Sequence, residues 1–321
     1  KFKKIRIFSD FKKIDKELKI KADYAMSAIS GIEGLRPTID IIKRTKRIAI
    51  ANKESLICGW SLIQKELKKY KTEFIPVDSE HFSIWSVIKD YQKSDIEKLI
   101  LTASGGPFLK KKIKKNVTLK DAINHPNWSM GKKISIDSAT MMNKIFEIIE
   151  AKKIFDIGLN KFEILIHPKS FIHAIVHYKN GLTKLLAHET TMEIPILNSL
   201  FTNNEQVIFN QNDFNYSKLN GTNFSKPNLS QFPLLKILNY DFNNTFFEII
   251  LVTINDELVK KYLEKRISYI SIQFIMLKLL KKPYFKKNYN KKPKNINDIK
   301  IMVKKVKIKA NEYLESNVNF S

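Results

Sequence analysis

Short apolar runs alternate with longer amphipathic segments along the first third of the chain. Residues 47–51, 74–77 and 98–102 are apolar on both faces; each run is followed by polar residues, and the first two then by helical periodicity. Strands that are buried on both faces and alternate with helices are typical of a parallel α/β sheet. The hydrophobic pattern therefore predicts the α/β fold class.

The same periodicities predict the other elements. Further strands are expected at residues 4–8, 24–30, 133–136, 162–166, 171–178 and 182–187, the last two joined by a hairpin turn at Asn180-Gly181. Helices are expected at residues 35–44, 56–69, 84–89, 234–239, 253–265, 272–281 and 295–313. The run of helices at the end of the chain indicates a small all-α domain.

One stretch, residues 125–147, holds polar residues where a plain core segment would hold none. We predict a loop, a strand and then a helix that opens at Asp137 or Ser138, whose N-terminus would suit an anion. Asn143 and Glu147 lie four residues apart and share one helical face. One face of this helix is expected to pack and the other to carry chemistry.

Polar side chains follow two of the predicted strands, where parallel sheets place their ligands. Asn52, Lys53 and Glu54 form the first set, although such a tripeptide alone is more often a loop with a helix cap. Asp78 and Glu80 form the second. If the extended conformation continues, these two carboxylates point the same way and suit a cation, the alternative being a surface acidic pair.

Three features stay open on the residues alone. The small residues 103–107 let a backbone approach a ligand closely or simply make a tight turn. Trp128, in a loop, is either a lid or a core plug. Four of the six histidines lie near the predicted hairpin: His167, His173, His177 and His188. Their spacing matches no zinc pattern, so we expect no zinc site.

The charge balance raises a different class of function. The 321 residues carry 57 Lys and Arg against 32 Asp and Glu, a formal net charge of +25. A basic nucleic-acid-binding protein is one interpretation, since lysine patches neutralise phosphates. The lysines are scattered, however, and are enriched together with Ile, Asn, Phe and Tyr, which favours a compositionally biased, solvated surface. We therefore expect no nucleic-acid partner.

The compartment is constrained by what the chain lacks. Cys58 is the only cysteine, which excludes an internal disulfide, and no apolar run reaches the length that a bilayer requires. We expect no membrane partner and a cytoplasmic location if the source is bacterial, or a plastid-type organelle if it is eukaryotic. The chain begins at Lys1 without an initiator methionine or signal-peptide features, which suggests a fragment.

Six segments carry the motifs of one known family. They are AISGIEGLRP (28–37), ANKES (51–55), PVDSEH (76–81), LTASGGPF (101–108), the stretch 125–147 with HPNWSMG and DSATMMNK, and HPKSFIH (167–173). Together they resemble the 1-deoxy-D-xylulose 5-phosphate reductoisomerases. The resemblance covers nearly the whole chain and implies conversion of 1-deoxy-D-xylulose 5-phosphate to 2-C-methyl-D-erythritol 4-phosphate, with NADPH and Mn²⁺ or Mg²⁺, in non-mevalonate isoprenoid synthesis. Another NADPH-dependent phosphosugar oxidoreductase is the remaining alternative.

The resemblance also implies a domain organisation. Residues 1–77 would be the remainder of a truncated Rossmann-like NADPH-binding domain, 78–200 a central α+β catalytic domain, 201–230 a linker and 231–321 an all-α helical domain. No GxGxxG fingerprint occurs among the nine glycines. We expect that a βαβ unit of about 30 residues is missing and that the fragment alone is inactive.

Site residues follow from the resemblance, position by position. Asp78, Glu80 and Glu147 match the metal ligands of the family; Glu80 and Glu147 are counted with the substrate-binding residues as well. The match for the phosphate and substrate clamp comprises Ser104, Ser138, Asn143 and Lys144, and the match for contacts to the sugar portion comprises Lys53, Ser79 and His125. NADPH contacts are implied for Asn52, Glu54 and Gly131, a flexible lid for Trp128, and a homodimer for the assembly.

Two departures from the family pattern stand close to these residues. Ile145-Phe146 replaces the usual Gly-Leu and adds bulk beside Glu147. His188-Glu-Thr-Thr-Met192 replaces the usual Gly-x-Pro-Asp-Met, so the contacts that face the lid are expected to differ. The residues matched to metal and phosphate are unchanged.

Overall fold

The computed structural model describes residues 7, 10–11, 14–109, 117–128, 130–201 and 216–317. Within these residues the strands are β1 (Ala22–Ser27), β2 (Thr45–Ile50), β3 (Glu73–Pro76), β4 (Ile96–Ala103), β5 (Phe162–Ile166), β6 (Ile172–Tyr178) and β7 (Thr183–Ala187). The α-helices there are α1 (Ile14–Glu17), α2 (Leu35–Ile42), α3 (Lys53–Tyr70), α4 (Ser79–Ile88), α5 (Leu119–Ile123), α6 (Lys132–Ala139), α7 (Met142–Phe155), α8 (Glu193–Leu200), α9 (Phe246–Leu263), α10 (Tyr269–Leu280), α11 (Pro283–Lys286) and α12 (Ile296–Asn317).

The first sheet is parallel, as the apolar runs predict. Its strand order is β1-β2-β3, with both pairs parallel. Ile48 and Ala49 of β2, the central strand, are fully buried, as the continuous apolar run predicts. The carboxyl ends of β2 and β3 lead directly into α3 and α4, and this connection brings Lys53 and Asp78 to the same edge.

The second sheet is mixed, with the order β5-β4-β6-β7. Strand β4 pairs in parallel with β5 and antiparallel with β6, and β6 pairs antiparallel with β7. The hairpin between β6 and β7 confirms the turn at Asn180-Gly181, where Gly181 has a φ of 86°. The start of β6 and the end of β7 place two histidines beside the pocket described below.

Helices α9 to α12 follow the second sheet and confirm the helical end of the chain. Thr245 caps α9 and Glu248 returns the bond to the backbone of Thr245, a capping box that fixes where this helix starts. The helix begins earlier than the expected residue 253 because Phe247 and the apolar residues after it are buried. Residues 233–239 form a 3₁₀-helix.

The strand expected at residues 133–136 is wrong. These residues belong to α6, in which the Ser135 hydroxyl donates to the Gly131 carbonyl four residues earlier. The helix expected to open at Asp137 or Ser138 is wrong as well, because both residues lie near the end of α6. The anion site that we predicted at that helix N-terminus is therefore not formed.

The extended geometry expected for Asp78 and Glu80 is also wrong, although their two carboxylates do lie close together. The chain does not continue extended: Asp78 caps α4 and Glu80 lies in its first turn. This helix was expected only from residue 84. The strand expected at residues 4–8 lies outside the described residues apart from residue 7, which is not in a strand.

Candidate active site

The first turn of α4 supplies two of the expected metal ligands. The carboxylate of Asp78 accepts a hydrogen bond from the Ser79 backbone N–H at 3.1 Å, as an N-cap does. The hydroxyl of Ser79 donates to Oε2 of Glu80 at 2.6 Å. The cap and this side-chain hydrogen bond together hold the two carboxylates near the carboxyl end of β3.

Helix α7 brings a third carboxylate to the same point. Glu147 is 1% exposed, and one oxygen from each of Asp78, Glu80 and Glu147 lies within 4.8 Å of the others. A cation with oxygen ligands at about 2.0–2.6 Å can contact three atoms spaced in this way. The structure thus brings the three expected ligands together from two different helices.

Two lysine ammonium groups lie inside the carboxylate cluster, next to Asp78 and Glu80. Nζ of Lys144 is 2.6 Å from Oε1 of Glu80 and also pairs with Glu147. Nζ of Lys53 pairs with Asp78 and lies 3.9 Å from Oε1 of Glu147. Both lysines therefore hold the carboxylates in place.

A fourth carboxylate, that of Glu150, completes this buried cluster. It is 1% exposed and its Oε2 lies 3.3 Å from Nζ of Lys53. The sequence offered a signal for it, since Glu150 follows Glu147 by three residues and so shares its helical face. With four carboxylates against two lysines, the cluster carries a formal charge of −2 when every group is ionised.

Burial and the neighbouring charges shift the pKa values of these carboxylates. Burial, followed by the charge of Glu80, raises the pKa of Glu147 to about 8. Burial also raises the pKa of Glu150 well above its usual range. Burial alone would raise the pKa of Glu80. The charge of the neighbouring Lys144 and the hydrogen bonds to the carboxylate outweigh burial, so the pKa of Glu80 is lowered.

A hydrogen-bonded pair faces the carboxylates across the pocket. Nδ1 of His125 accepts hydrogen bonds from the backbone N–H groups of Asn127 and Trp128, at 3.2 Å and 3.0 Å. His125 therefore carries its proton on Nε2, which donates to Oγ of Ser104 at 2.9 Å. Burial lowers the pKa of His125 to about 4, so this neutral tautomer holds at pH 7.

Ser104 is left with one hydrogen to donate. Its Oγ accepts from Nε2 of His125 and, at 3.0 Å, from the backbone N–H of Gly106. A serine hydroxyl has two acceptor positions and one donor, so both acceptor positions are taken. The remaining O–H lines the pocket and suits an acceptor such as a phosphate oxygen.

The break between α6 and α7 turns the side chains of Asn143 and Lys144 into the pocket. Met141 adopts the left-handed conformation, with φ 64° and ψ 9°, and separates the two helices. Such a residue costs about 1–2 kcal/mol and is typical of functional sites. Directly after it, Asn143 donates from Nδ2 to Glu147, and Ser138, Asn143 and Lys144 line the pocket.

The close approach of the Ser104 turn to α6 depends on a glycine. Gly106 has a φ of 65°, and a Cβ there would meet the Cα of Ala139 at 3.2 Å and the carbonyl oxygen of Ser138 at 3.3 Å. Both the backbone conformation and the lack of space disfavour any side chain at this position. Gly106 thus sets how closely the turn that carries Ser104 approaches Ser138.

Trp128 lies over the pocket, in the loop before α6. It is half-buried, lines the pocket and contacts the ring of His173 edge-on, with the ring centroids 6.1 Å apart. Nδ2 of Asn127 ties the loop down by donating to the Pro168 carbonyl at 2.7 Å and to Oγ of Ser170 at 2.8 Å. The indole occupies a wall of the pocket and not the core, as a lid would.

Most of the expected site residues line this one pocket. They are Asp78, Ser79, Glu80, Ser104, His125, Trp128, Ser138, Asn143, Lys144 and Glu147. Lys53 is absent from that lining but touches the same carboxylates through its ion pairs.

The residues expected to contact NADPH lie apart from the pocket. The side chain of Asn52 caps α3, accepting from the Ser55 N–H at 2.6 Å, and its Nδ2 donates to the Gly31 carbonyl at 2.7 Å. Glu54 pairs with Lys133 at 2.9 Å. The side-chain amide of Asn52 and the carboxylate of Glu54 are therefore already engaged within the protein.

Open surface for a nucleotide remains beside these residues. Residues 28–30, at the carboxyl end of β1, are exposed, and Gly131 is exposed with nothing within 4 Å of the position of a Cβ. The carboxyl edge of a parallel sheet is where such folds bind dinucleotides. This edge therefore leaves exposed backbone beside the residues expected to contact NADPH.

Several pocket residues were not singled out from the sequence as site residues. Ser170, His173 and Met192 line the pocket together with the expected groups. Ser170 carries a signal only in the structure, a φ of 53° that is unusual for a residue other than glycine. His173 belongs to the HPKSFIH motif, but its alternation in a strand left its direction open.

The contacts that the protein itself offers to the carboxylates leave room for a divalent cation. Oε2 of Glu147 and Oε2 of Glu150 are buried and face the ammonium groups of Lys144 and Lys53, but neither oxygen accepts a well-formed hydrogen bond from the described residues. When every group is ionised the cluster has the formal excess of −2 given above, and a hard divalent ion would neutralise that excess and favour the ionised carboxylates. Oxygen donors suit Mg²⁺ or Mn²⁺ and do not suit a zinc site of His and Cys.

Three family models match the chain. They describe 1-deoxy-D-xylulose 5-phosphate reductoisomerase (residues 3–59), the C-terminal domain of the same enzyme (residues 74–155) and the DXP reductoisomerase C-terminal domain (residues 188–309). Within the described residues, no helix is long and apolar enough to cross a membrane.

Individual relatives agree with the models. The 1-deoxy-D-xylulose 5-phosphate reductoisomerase of Pelagibacter ubique is 52% identical over 302 residues, which are 92% of this chain and 78% of that relative. A solved DOX-P reductoisomerase in complex with NADPH, fosmidomycin and magnesium superposes with a TM-score of 0.87 at 33% identity, covering 96% of this chain and 80% of that one. The enzyme of Zymomonas mobilis in complex with NADPH gives 0.84 at 31% identity, covering 95% and 79%. The chain belongs to the 1-deoxy-D-xylulose 5-phosphate reductoisomerase family.

Proposed function

We propose that the protein rearranges and reduces 1-deoxy-D-xylulose 5-phosphate to 2-C-methyl-D-erythritol 4-phosphate, with NADPH as the hydride donor and Mg²⁺ or Mn²⁺ as the metal. The observation that carries this proposal is the convergence of three carboxylates from α4 and α7 on the pocket that Ser104 and His125 close from the other side. The pocket therefore offers a metal site at the carboxylates and, beside it, hydrogen-bond donors for a phosphate.

Asp78, Glu80 and Glu147 would hold the metal. A divalent cation bound there supplies Lewis-acid polarisation of the carbonyl and hydroxyl oxygens of the substrate. Lys144 and Lys53 keep the carboxylates fixed while the site is open, and their ammonium groups remain beside any substrate oxygen that gains negative charge.

Ser104, Ser138, Asn143 and Lys144 would hold the phosphate. Ser104 donates the one hydrogen that His125 and Gly106 leave to it, so it prefers an acceptor at that position. Fixing the phosphate orients the reactive carbons toward the carboxylate end of the pocket. Ser79 and His125 line the pocket and Lys53 pairs with Asp78 beside it, and these three residues are assigned to the sugar portion.

The cofactor would lie along the carboxyl edge of the parallel sheet, near Asn52, Glu54 and Gly131. Asn52 holds the Gly31 turn in place, so its contribution to NADPH is to shape this surface. Trp128 would close the pocket and exclude water while hydride is transferred. A homodimer and a cytoplasmic location are further proposals that rest on the family resemblance.

The test is product analysis with the gene product that contains this chain. Incubation with 1-deoxy-D-xylulose 5-phosphate, NADPH and Mg²⁺ is expected to yield the branched 2-C-methyl-D-erythritol 4-phosphate, identified by NMR. An unbranched reduced sugar phosphate, or NADPH oxidation with other phosphosugars only, would instead identify a different phosphosugar oxidoreductase. Unphosphorylated 1-deoxy-D-xylulose is the control for the phosphate site.

The nucleic-acid alternative has its own measurement. A basic nucleic-acid-binding protein should bind duplex DNA at physiological ionic strength, with an affinity that falls steeply as salt is added. We expect no binding tighter than the non-specific range of about 10⁻⁴–10⁻⁶ M. Tighter, salt-sensitive binding would favour that alternative.

A further inference from the structure

His188 places an imidazole ring directly after the end of β7. It is 8% exposed, and its backbone N–H donates to the Phe171 carbonyl at 3.1 Å. Its ring stacks on that of His173, with centroids 3.8 Å apart and planes 19° from parallel. His173 lines the pocket, so His188 lies directly behind a pocket wall.

The two rings are locked by separate hydrogen bonds. Nε2 of His173 donates to the backbone carbonyl of His188 at 3.1 Å, and Nδ1 of His188 donates to the Glu189 carbonyl at 2.7 Å. Each bond fixes one tautomer and one ring orientation. Burial lowers both pKa values, that of His173 to about 4, so both rings are neutral and do not repel one another at pH 7.

Each imidazole of the stack has a further aromatic neighbour. Trp128 contacts His173 edge-on at 6.1 Å, and Phe82 contacts His188 edge-on at 6.4 Å. Phe82 lies on α4, two residues after Glu80. The four rings therefore connect the loop that carries the lid to the helix that carries two of the carboxylates.

Hydrogen bonding alone does not account for a histidine at this position. Nε2 of His188 is buried without a partner among the described residues, which costs about 1–3 kcal/mol. What the ring gains here is stacking, and aromatic pairs contribute about 0.5–1.5 kcal/mol beyond the area that they bury. A glycine at 188 could make neither contact.

We propose that His188 is a positioning residue for substrate binding: its ring fixes the orientation of His173, and through His173 the position of Trp128 over the pocket. The proposal goes beyond the proposed function and rests on it for the identity of the substrate. His188 itself does not line the pocket, so its effect should appear in binding and not in the rate of the chemical step.

The experiment compares His188→Leu with His188→Phe in the gene product that contains this chain. Leucine keeps much of the volume without a flat ring, whereas phenylalanine keeps the ring and removes the unpaired Nε2. We expect His188→Leu to raise KM for 1-deoxy-D-xylulose 5-phosphate about 3–10-fold, the factor that corresponds to loss of the stacking energy, with kcat and KM for NADPH within about twofold. His188→Phe should restore KM to within about twofold of wild type.

Matched controls separate this role from general damage. His177→Ala alters a histidine of the same sheet, on β6 but outside the pocket lining, and should leave all three constants unchanged. The proposal is overturned if His188→Leu leaves KM unchanged, if His188→Phe is as impaired as His188→Leu, or if kcat falls as much as KM rises.

A binding measurement keeps the test independent of turnover. The affinity for fosmidomycin in the presence of Mg²⁺, measured by calorimetry, should weaken about 3–10-fold in His188→Leu and recover in His188→Phe. Absence of turnover in the wild type with this binding pattern intact would count against the proposed reaction and not against the role of His188. Equal affinities in all variants would overturn the role of His188.

Discussion

At the scale of single residues, the hydrogen bonds around Ser104 determine what it can bind. His125 and Gly106 occupy both acceptor positions of its hydroxyl, and the single hydrogen left over faces the pocket. A hydrogen bond to a charged group contributes about 1.5–3 kcal/mol. The partner that gains most from this donor is a phosphate oxygen.

Ser104→Ala is therefore expected to raise KM for 1-deoxy-D-xylulose 5-phosphate about 10–100-fold. KM for NADPH should stay unchanged, since the expected cofactor surface lies elsewhere. Steady-state kinetics with Ser94→Ala, an exposed serine remote from the pocket lining, provides the control. A KM within twofold of wild type would remove Ser104 from the phosphate site.

The raised pKa of Glu147 predicts a pH dependence of metal binding. Burial raises the pKa from 4.5 to about 8, and a carboxylate must lose its proton before it binds a cation. Affinity for Mn²⁺ should thus increase about tenfold per pH unit below pH 8 and level off above it. Calorimetric titration between pH 6 and 9 measures this, and an affinity independent of pH would contradict the assignment.

The stability of the metal-free protein should change in the opposite direction. Because the folded-state pKa of Glu147 lies above its unfolded value, the protonated folded state is favoured. The contribution of Glu147 to the free energy of unfolding is therefore full below about pH 4.5 and is lost as the pH rises through about 8. Added Mn²⁺ should restore the stability at high pH.

At the scale of elements, one carboxylate connects helix α9 to helix α7. Glu248 accepts from the backbone N–H of Thr245 at 2.9 Å as part of the capping box, and its Oε1 lies 3.1 Å from Nζ of Lys153. Both charged side chains are buried. Removal of one partner of such a pair leaves an uncompensated charge in the interior.

Glu248→Ala is expected to lower the free energy of unfolding by about 3–5 kcal/mol. Thr245→Ala removes the cap and the hydroxyl that donates to Glu248 but keeps the buried ion pair, and should cost about 1 kcal/mol. Glu264→Ala, at the exposed end of the same helix, should stay within about 0.5 kcal/mol of wild type. Urea unfolding of the three variants measures the order, and a Glu248→Ala protein as stable as Thr245→Ala would show that the buried pair contributes little.

The elements that the sequence predicts well are those that their neighbours along the chain also specify. The buried runs that became β2, β3 and β4 follow the strand–helix alternation of a parallel sheet, and the Asn180-Gly181 turn specifies its hairpin. Residues 133–136 alternate apolar and polar, but four residues are too few to separate a strand from one turn of helix. These residues form helix α6 because Ser135 and Ile136 are buried by neighbours that only the tertiary structure supplies.

The site was predictable from motifs and not from local patterns. The carboxylates of Asp78 and Glu80 converge because α4 begins at Ser79, whereas the extended geometry expected from the sequence was wrong. The ion pairs of Lys53 and the hydrogen bond of His125 to Ser104 join residues more than 20 positions apart, and no spacing rule contains them. The roles assigned to these residues in catalysis stay predictions.

At the scale of the whole molecule, Lys133 joins three parts of the chain. Its Nζ lies 2.9 Å from Glu54 on α3, 3.2 Å from Asp137 on α6 and 3.1 Å from Asp256 on α9. These helices belong to the expected cofactor, catalytic and helical domains, whose boundaries stay predictions. The surface expected to bind NADPH and the pocket are thus tied through α6, the helix that also bears Ser138.

The central claim is that Glu147 completes a metal site on which turnover depends. The most direct measurement is NADPH oxidation with 1-deoxy-D-xylulose 5-phosphate in wild type, Glu147→Gln and the exposed control Glu97→Gln, each assayed with EDTA and after Mn²⁺ is restored. Wild type and Glu97→Gln should lose activity in EDTA and regain it with Mn²⁺, and Glu147→Gln should stay about 100-fold or more below wild type. Activity that resists EDTA, or a Glu147→Gln protein as active as wild type, would contradict the account.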